Sequence, residues 1–232
     1  YDDIYSTPGQ KKYYVVNNVL ETFTSKVGQF VEILNLEEFG NALFIDHEIQ
    51  VAEKDEKIYS STFFKSSYDL SKKTSNVAII GGGDGGVARE CLENNTNYID
   101  WYELDPEIVE SCYRHLPKVC SKVKKSNTVN TFWGDAFESI KSVENSKYDK
   151  IFVDLNDDQY CIDLARKNMK NLKRILKPGG IITAQVGSKD KKPKQVENWS
   201  KVLEKSFGNV TVSGTYIPSF DCNWNFASSV MR

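Results

Sequence analysis

Val77-Ala78-Ile79-Ile80-Gly81-Gly82-Gly83-Asp84-Gly85-Gly86-Val87 is the stretch on which the fold turns. Four apolar residues, three of them β-branched, read as a short buried strand. The glycines read as a tight loop, and residues 87–94 as a helix. Gly81, Gly83 and Gly86 satisfy the G-x-G-x-x-G spacing between a strand and a helix, the context that makes it a nucleoside-binding turn. The next strand, residues 98–104, carries Glu103 near its end, 22 positions after Gly81. A carboxylate there can accept hydrogen bonds from both ribose hydroxyls of an adenosine.

Asp84 narrows the ligand. Backbone N–H groups at a helix start favour anions, and a carboxylate inside the loop opposes that preference. NAD and ATP therefore suit this loop less than a cationic ligand does. A sulfonium that also carries an ammonium suits it well, and a decarboxylated S-adenosylmethionine suits it better than the parent with its carboxylate.

Outward from the loop, strands alternate with helices. A helix is expected over residues 106–116, with Pro106 near its first turn. Strands are expected at 130–133 and 150–155. A helix over 165–176 ends at Lys177-Pro178-Gly179-Gly180, and a fifth strand follows at 181–186. This rhythm implies right-handed crossovers and a parallel, doubly wound α/β sheet. The first third is different: β-branched and aromatic runs at 13–16, 31–34 and 42–45, with turn chemistry at Phe39-Gly40-Asn41, predict antiparallel hairpins. A helix with weaker periodicity is expected over 53–64. The chain is thus divided into a small β domain, residues 1–70, and a Rossmann-like domain, residues 71–232.

With 232 residues, 40% apolar and 27% charged, the chain can bury one sizeable core. A net charge of −2 gives no bulk attraction to nucleic acid. No apolar run is long enough to span a bilayer, and Tyr1–Gln10 lacks the pattern of a leader, although Tyr1 reads as the start of an ordered region rather than a natural terminus. Five scattered cysteines without metal-site spacing predict reduced thiols and the cytoplasm. Only two histidines, His47 and His115, are present, and neither sits in a nucleophile–base pattern; no metal site is expected. Lys189–Lys194 reads as a solvated basic loop.

The end of the fourth strand, Val153-Asp154-Leu155-Asn156-Asp157-Asp158, should open into the ligand crevice, because strand carboxyl ends line it in such sheets. Asp154 then converges with Asp84. Paired carboxylates can bind a polycation, and one can take a proton from an ammonium that must become a nucleophile. Asp157 and Asp158 read equally as a polar loop and helix cap. Asp135, in Trp133-Gly134-Asp135-Ala136, either meets an adenine or caps a helix.

These pieces, with Gly28-Gln29, residues 49–55, Tyr59, Tyr102-Glu103-Leu104-Asp105, Ala184-Gln185 and Ile217-Pro218-Ser219, resemble the spermidine/spermine synthase family of aminopropyltransferases. The resemblance implies a class I methyltransferase-type Rossmann fold behind a small antiparallel β domain, and assembly as a homodimer or homotetramer. It implies transfer of an aminopropyl group from decarboxylated S-adenosylmethionine, a co-substrate with no prosthetic group, to a polyamine. Gln29, Gly81, Gly82, Gly83, Glu103, Leu104, Asp135 and Ala136 would hold the nucleoside. Asp84 would hold the aminopropyl ammonium, Asp154 would act as base, and Tyr59 would orient the amine. Asp157, Gln185, Asp221 and Trp224 fall at the acceptor end.

Departures cluster there. Spermidine enzymes read Asp-Ser-Ser-Asp-Pro where this chain has Asp154-Leu155-Asn156-Asp157-Asp158. The Asp-Leu pair is closer to animal spermine synthase, which lacks an aspartate matching Asp157. Ser60 and Ser61 replace a Gln or His followed by Glu. The late loop, residues 218–224, is closer to the spermine type without its glutamate. The acceptor stays open between spermidine, putrescine and a related amine. Two other readings stay open as well: an amine N-methyltransferase and a non-catalytic homologue that binds nucleoside or polyamine.

Overall fold

A computed structural model describes residues 1–3 and 11–232. Most of the segment read above for a leader pattern lies outside the described residues. Strands β1 (Asp2–Asp3) and β2 (Lys12–Tyr13) form a short antiparallel pair. Then β3 (Val16–Thr24), β4 (Phe30–Leu36), β5 (Gly40–Ile45) and β6 (Glu48–Ala52) make a four-stranded antiparallel meander in sequence order.

The meander explains why its central strand lacks a clean polar alternation. Val31 and Ile33, with Leu43 and Val51, pack on Ile108, Cys112 and Leu116. Leu34, Leu36, Ala42 and Phe44 join the main core instead. Both faces of β4 are covered, so both sets of alternate residues are mainly apolar, with Glu32 and Asn35 the exceptions.

Helix α1 (Glu56–Tyr68) leads into the large sheet, and Phe63 and Phe64 pack on Phe152 of that sheet. The helix begins and ends a few residues later than its periodicity predicts. The sheet then builds from β7 (Asn76–Gly81), α2 (Gly86–Glu93), β8 (Tyr98–Glu103), α3 (Pro106–His115), α4 (Pro117–Lys124), β9 (Val129–Trp133), α5 (Ala136–Ser139), β10 (Tyr148–Asp154), α6 (Gln159–Ile175), β11 (Leu176–Gly187), α7 (Pro193–Phe207), β12 (Val210–Ile217) and β13 (Cys222–Val230). Its strand order is β12-β13-β11-β10-β7-β8-β9. Val77, Ile79 and Phe152 face the core under α1 and α2, while Ala78, Ile80, Ile151 and Val153 face α6 and α7.

The expected α/β sheet is present, but it is mixed rather than wholly parallel. β13 runs antiparallel to both β11 and β12. A hairpin needs only a short turn, here Pro218–Phe220 and Asp221, so no helix intervenes to announce a further parallel strand. The Lys177–Gly180 turn is an excursion between Tyr148↔Leu176 and Lys150↔Ile181 pairing.

Strand order reverses at the middle of this sheet. β7 has β8 on one side and β10 on the other, and Asp154 is the register partner of Gly81. The crevice at that reversal is where open α/β sheets take ligands.

Candidate active site

At the carboxyl ends of β7, β8 and β10 lies a pocket of about 230 Å³. Its floor is the glycine loop. Gly81 has φ +80, and a Cβ there would overlap the Asp154 carbonyl oxygen, so only glycine lets the two strand ends meet. The Gly82 N–H then donates to that carbonyl at 3.0 Å. Asp84 follows, and its Oδ1 accepts the Gly86 N–H at 2.6 Å. This bond aims the carboxylate across the start of α2.

A buried ionic cluster lies behind the loop. Arg89 pairs with Glu56 at 2.6 Å and with Glu90 at 2.8 Å, and the Ser60 hydroxyl donates to Glu56. Ser60, at a position where the resemblance expects a longer side chain, therefore turns inward to the glutamate.

Tyr59, on α1, donates its hydroxyl hydrogen to Asp154 Oδ1 at 2.6 Å. Edge contacts with Phe63, Phe220 and Phe226 hold the ring. Burial lifts the Asp154 carboxyl to about 6, against the lowering effect of the Tyr59 bond. Burial, then the charges of Asp154 and Glu56, hold the Asp84 carboxyl well above the usual range. Burial and the neighbouring Asp154 charge also push the Tyr59 phenol up. Two carboxyls that resist ionisation in one pocket favour a cation placed beside them.

One side of the pocket is built from Glu103, Leu104 and Gln29. Burial raises Glu103 to about 7, although the Asp105 N–H donates to its Oε1 at 3.0 Å. Leu104 is exposed at the pocket mouth, and Gln29 enters from the small sheet.

At the opposite end, Trp224 Nε1 donates to Gln185 Oε1 at 3.1 Å, and Gln185 Nε2 donates to the Leu155 carbonyl. Phe220 reaches the pocket from the β12–β13 turn, and Trp224 from the start of β13. That turn is bolted down through Ser219, which is fully buried. Its N–H and hydroxyl donate to Asp55 at 2.5 and 3.0 Å, and its carbonyl accepts the Tyr14 hydroxyl at 2.6 Å and the Lys12 ammonium.

The structure thus brings together Tyr59, Gly81, Gly82, Gly83, Asp84, Glu103, Leu104, Asp154, Asp157, Gln185, Trp224 and Gln29. Three expected residues do not line the pocket. Asp135 caps α5, where its Oδ1 accepts the Phe137 and Glu138 N–H groups, and Ala136 opens that helix. Asp221 faces outward and accepts the Tyr216 hydroxyl at 2.5 Å. Ile49, Gln50, Ile108 and Phe220 do line the pocket and went unread as site residues. Gln50 has a signal in the 49–55 match and Phe220 in the 218–224 loop; Ile108 has none beyond its place in the helix expected over 106–116.

The chemistry of the pocket agrees with the comparisons. Residues 56–231 match the family model described as the spermine/spermidine synthase domain. The chain belongs to the spermine/spermidine synthase family. Residues 1–53 match the spermidine synthase tetramerisation domain, an oligomer-forming segment of that family.

A polyamine aminopropyltransferase of Korarchaeum cryptofilum is 29% identical over 222 residues, which cover 95% of this chain and 69% of that protein. One of Prochlorococcus marinus (strain NATL1A) is 31% identical over 210 residues, covering 86% and 72%. A spermidine synthase solved in complex with the transition state analogue AdoDATO superposes with a TM-score of 0.91 at 19% identity, covering all of this chain and 80% of that one. The spermidine synthase of Thermotoga maritima gives 0.87 at 19%, covering 100% and 79%. These two likenesses are of fold.

Proposed function

We infer that this spermine/spermidine synthase family member is a polyamine aminopropyltransferase. It moves the aminopropyl group of decarboxylated S-adenosylmethionine, its co-substrate, to an amine nitrogen and releases methylthioadenosine. Family membership and relatives named polyamine aminopropyltransferase support the reading. The observation that carries it is the pair Asp84 and Asp154, two carboxyls with raised proton affinity on one small pocket beside a nucleoside-type loop.

In this reading Glu103 accepts the ribose hydroxyls and Asp84 pairs with the ammonium of the aminopropyl group. An acceptor ammonium, ordinarily protonated at neutral pH, gives a proton to Asp154. The freed nitrogen lone pair attacks the carbon bonded to sulfur, and a new C–N bond forms as the C–S bond breaks. The bonding pair leaves with sulfur, which becomes a neutral thioether. Tyr59 keeps one Asp154 oxygen engaged and so orients the other. Alignment of donor and acceptor supplies much of the rate, up to about 7–11 kcal/mol in well-oriented reactions.

The assay that tests this offers each sulfonium donor with putrescine or spermidine and weighs the product. Methylated amine from S-adenosylmethionine would replace the reading with an N-methyltransferase, and no product from any pair would favour a binding protein.

The oligomer proposed is a homodimer or homotetramer through residues 1–53. Val19 and Leu20 on the outer strand of the small sheet stay exposed in the single chain, 63% and 38%, which supports that surface. Light scattering of the purified protein at several concentrations tests it. The domain division after residue 70, the cytoplasmic location and the absence of a nucleic-acid or membrane partner also stand as proposals. Among the described residues no helix is long and apolar enough to cross a membrane.

A further inference from the structure

The Lys189–Lys194 segment leaves Lys189, Asp190 and Lys194 exposed, as its basic composition predicts, yet its first residues are also tied to neighbouring elements. It is fastened to the β12–β13 hairpin beside the pocket end formed by Asp157, Phe220 and Trp224. The Lys189 N–H donates to Asn225 Oδ1 at 2.8 Å, and Asp190 Oδ2 accepts from the Asn223 side-chain amide at 2.8 Å. The Lys191 ammonium donates to the Phe220 carbonyl at 2.9 Å. Lys192 Nζ stands 3.8 Å from Asp157 Oδ2.

Asp157 is the pocket-lining carboxylate three residues beyond Asp154, and it is only 5% exposed. Its seat is cut into the backbone. Gly187 has φ +81, and a Cβ on it would overlap the Asp157 carboxylate. The carboxylate lies directly against Gly187, where any larger residue would push it out of place. Lys192, by contrast, has a side chain 37% exposed on a flexible four-carbon stem, and can leave.

We propose that Lys192 is a built-in competitor for the distal ammonium of the amine acceptor, and so a specificity-determining residue of the transferase. This rests on the aminopropyltransferase reading. An acceptor with a second ammonium meets Asp157 with the Lys192 charge already beside it, so the two cations compete for one carboxylate and affinity is moderated. Removing the Lys192 charge takes away one competing cation, and an incoming ammonium is then attracted more strongly to Asp157.

The test measures putrescine and spermidine binding by calorimetry with methylthioadenosine present, alongside steady-state kinetics. Lys192→Met is expected to tighten amine binding and lower the acceptor KM about two- to fivefold, the range for a half-exposed ion pair, with kcat held. Lys192→Arg should leave both near wild type. In an Asp157→Asn background Lys192→Met should change nothing. An unchanged or raised KM in a normally folded Lys192→Met protein overturns the proposal, and so does a gain that persists without the Asp157 charge. Wild-type protein that makes no aminopropylated product from any acceptor overturns the underlying reading instead, and the binding data then still decide whether Lys192 and an amine compete.

Discussion

The Tyr59 hydroxyl donates to Asp154 Oδ1 across 2.6 Å and so joins α1 to the last residue of β10. One hydrogen bond fixes the base candidate from the element that follows the small sheet. It also lowers the Asp154 carboxyl, which burial otherwise lifts.

Tyr59→Phe removes the bond and keeps the ring in its aromatic cage. The Asp154 carboxyl should then move further above its value of about 6, and the acid limb of the kcat/KM profile should move up with it. A fall in kcat of about tenfold or more is expected from the loosened carboxylate. A limb that stays in place would separate Tyr59 from the titration of Asp154.

Asp154→Asn should be inactive and yet more stable. A carboxyl raised in the folded state binds protons more tightly folded than unfolded, so its ionisation lowers stability as pH rises from about 3.8 to about 6. The amide has no such cost. Discounted for partial solvent access, its advantage is about 1 kcal/mol at pH 7 and disappears below pH 4. Thermal melts of both proteins from pH 4 to 8 check the sign. Equal melting curves at pH 7 would contradict it.

Glu103, raised to about 7, makes nucleoside binding sensitive to pH. Methylthioadenosine affinity should rise between pH 6 and 8 as the carboxylate forms and accepts the ribose hydroxyls. Glu103→Gln should weaken binding at least about tenfold at pH 8, the scale of hydrogen bonds to a charged group, and flatten the pH dependence. Calorimetric titration across that range reads both effects, and a pH dependence surviving in the variant would assign it elsewhere.

Asp55→Ala should separate the two ends of the pocket. It strands the buried Ser219 N–H and hydroxyl, at about 1–3 kcal/mol of stability. The turn that carries Phe220 into the pocket loosens, so the acceptor KM should rise while methylthioadenosine affinity holds. Equal losses at both ends would show a general defect rather than a local one.

Much of this was legible in the chain. The apolar run before Gly81 and the glycines after it require a strand, a turn with positive φ and a helix, because few other backbones satisfy both patterns. Asp84 and Asp154 were legible as a pair because strand carboxyl ends converge at a sheet reversal. The β12–β13 hairpin and α4 were not, since the first lacks a helix between its strands and the second follows Leu116 without a loop. Ile108 was hidden because a pocket wall and a core use the same apolar side chains.

The sequence by itself determined the strand–loop–helix–strand unit that carries Gly81 and Glu103 to the pocket. Close backbone approach at Gly81 and a carboxylate at Glu103 are local requirements, written within one strand–helix–strand unit. Only the tertiary structure decided how the opposite end of the pocket is put together, because its parts come from distant segments: Tyr59 from α1, Asp157 after β10, Gln185 on β11 and Trp224 on β13, with Lys192 just before α7 standing near Asp157. Charge pairs across such separations depend on where the chain returns, and no local pattern records that Lys192 faces Asp157 or that Gly187 makes room for its carboxylate.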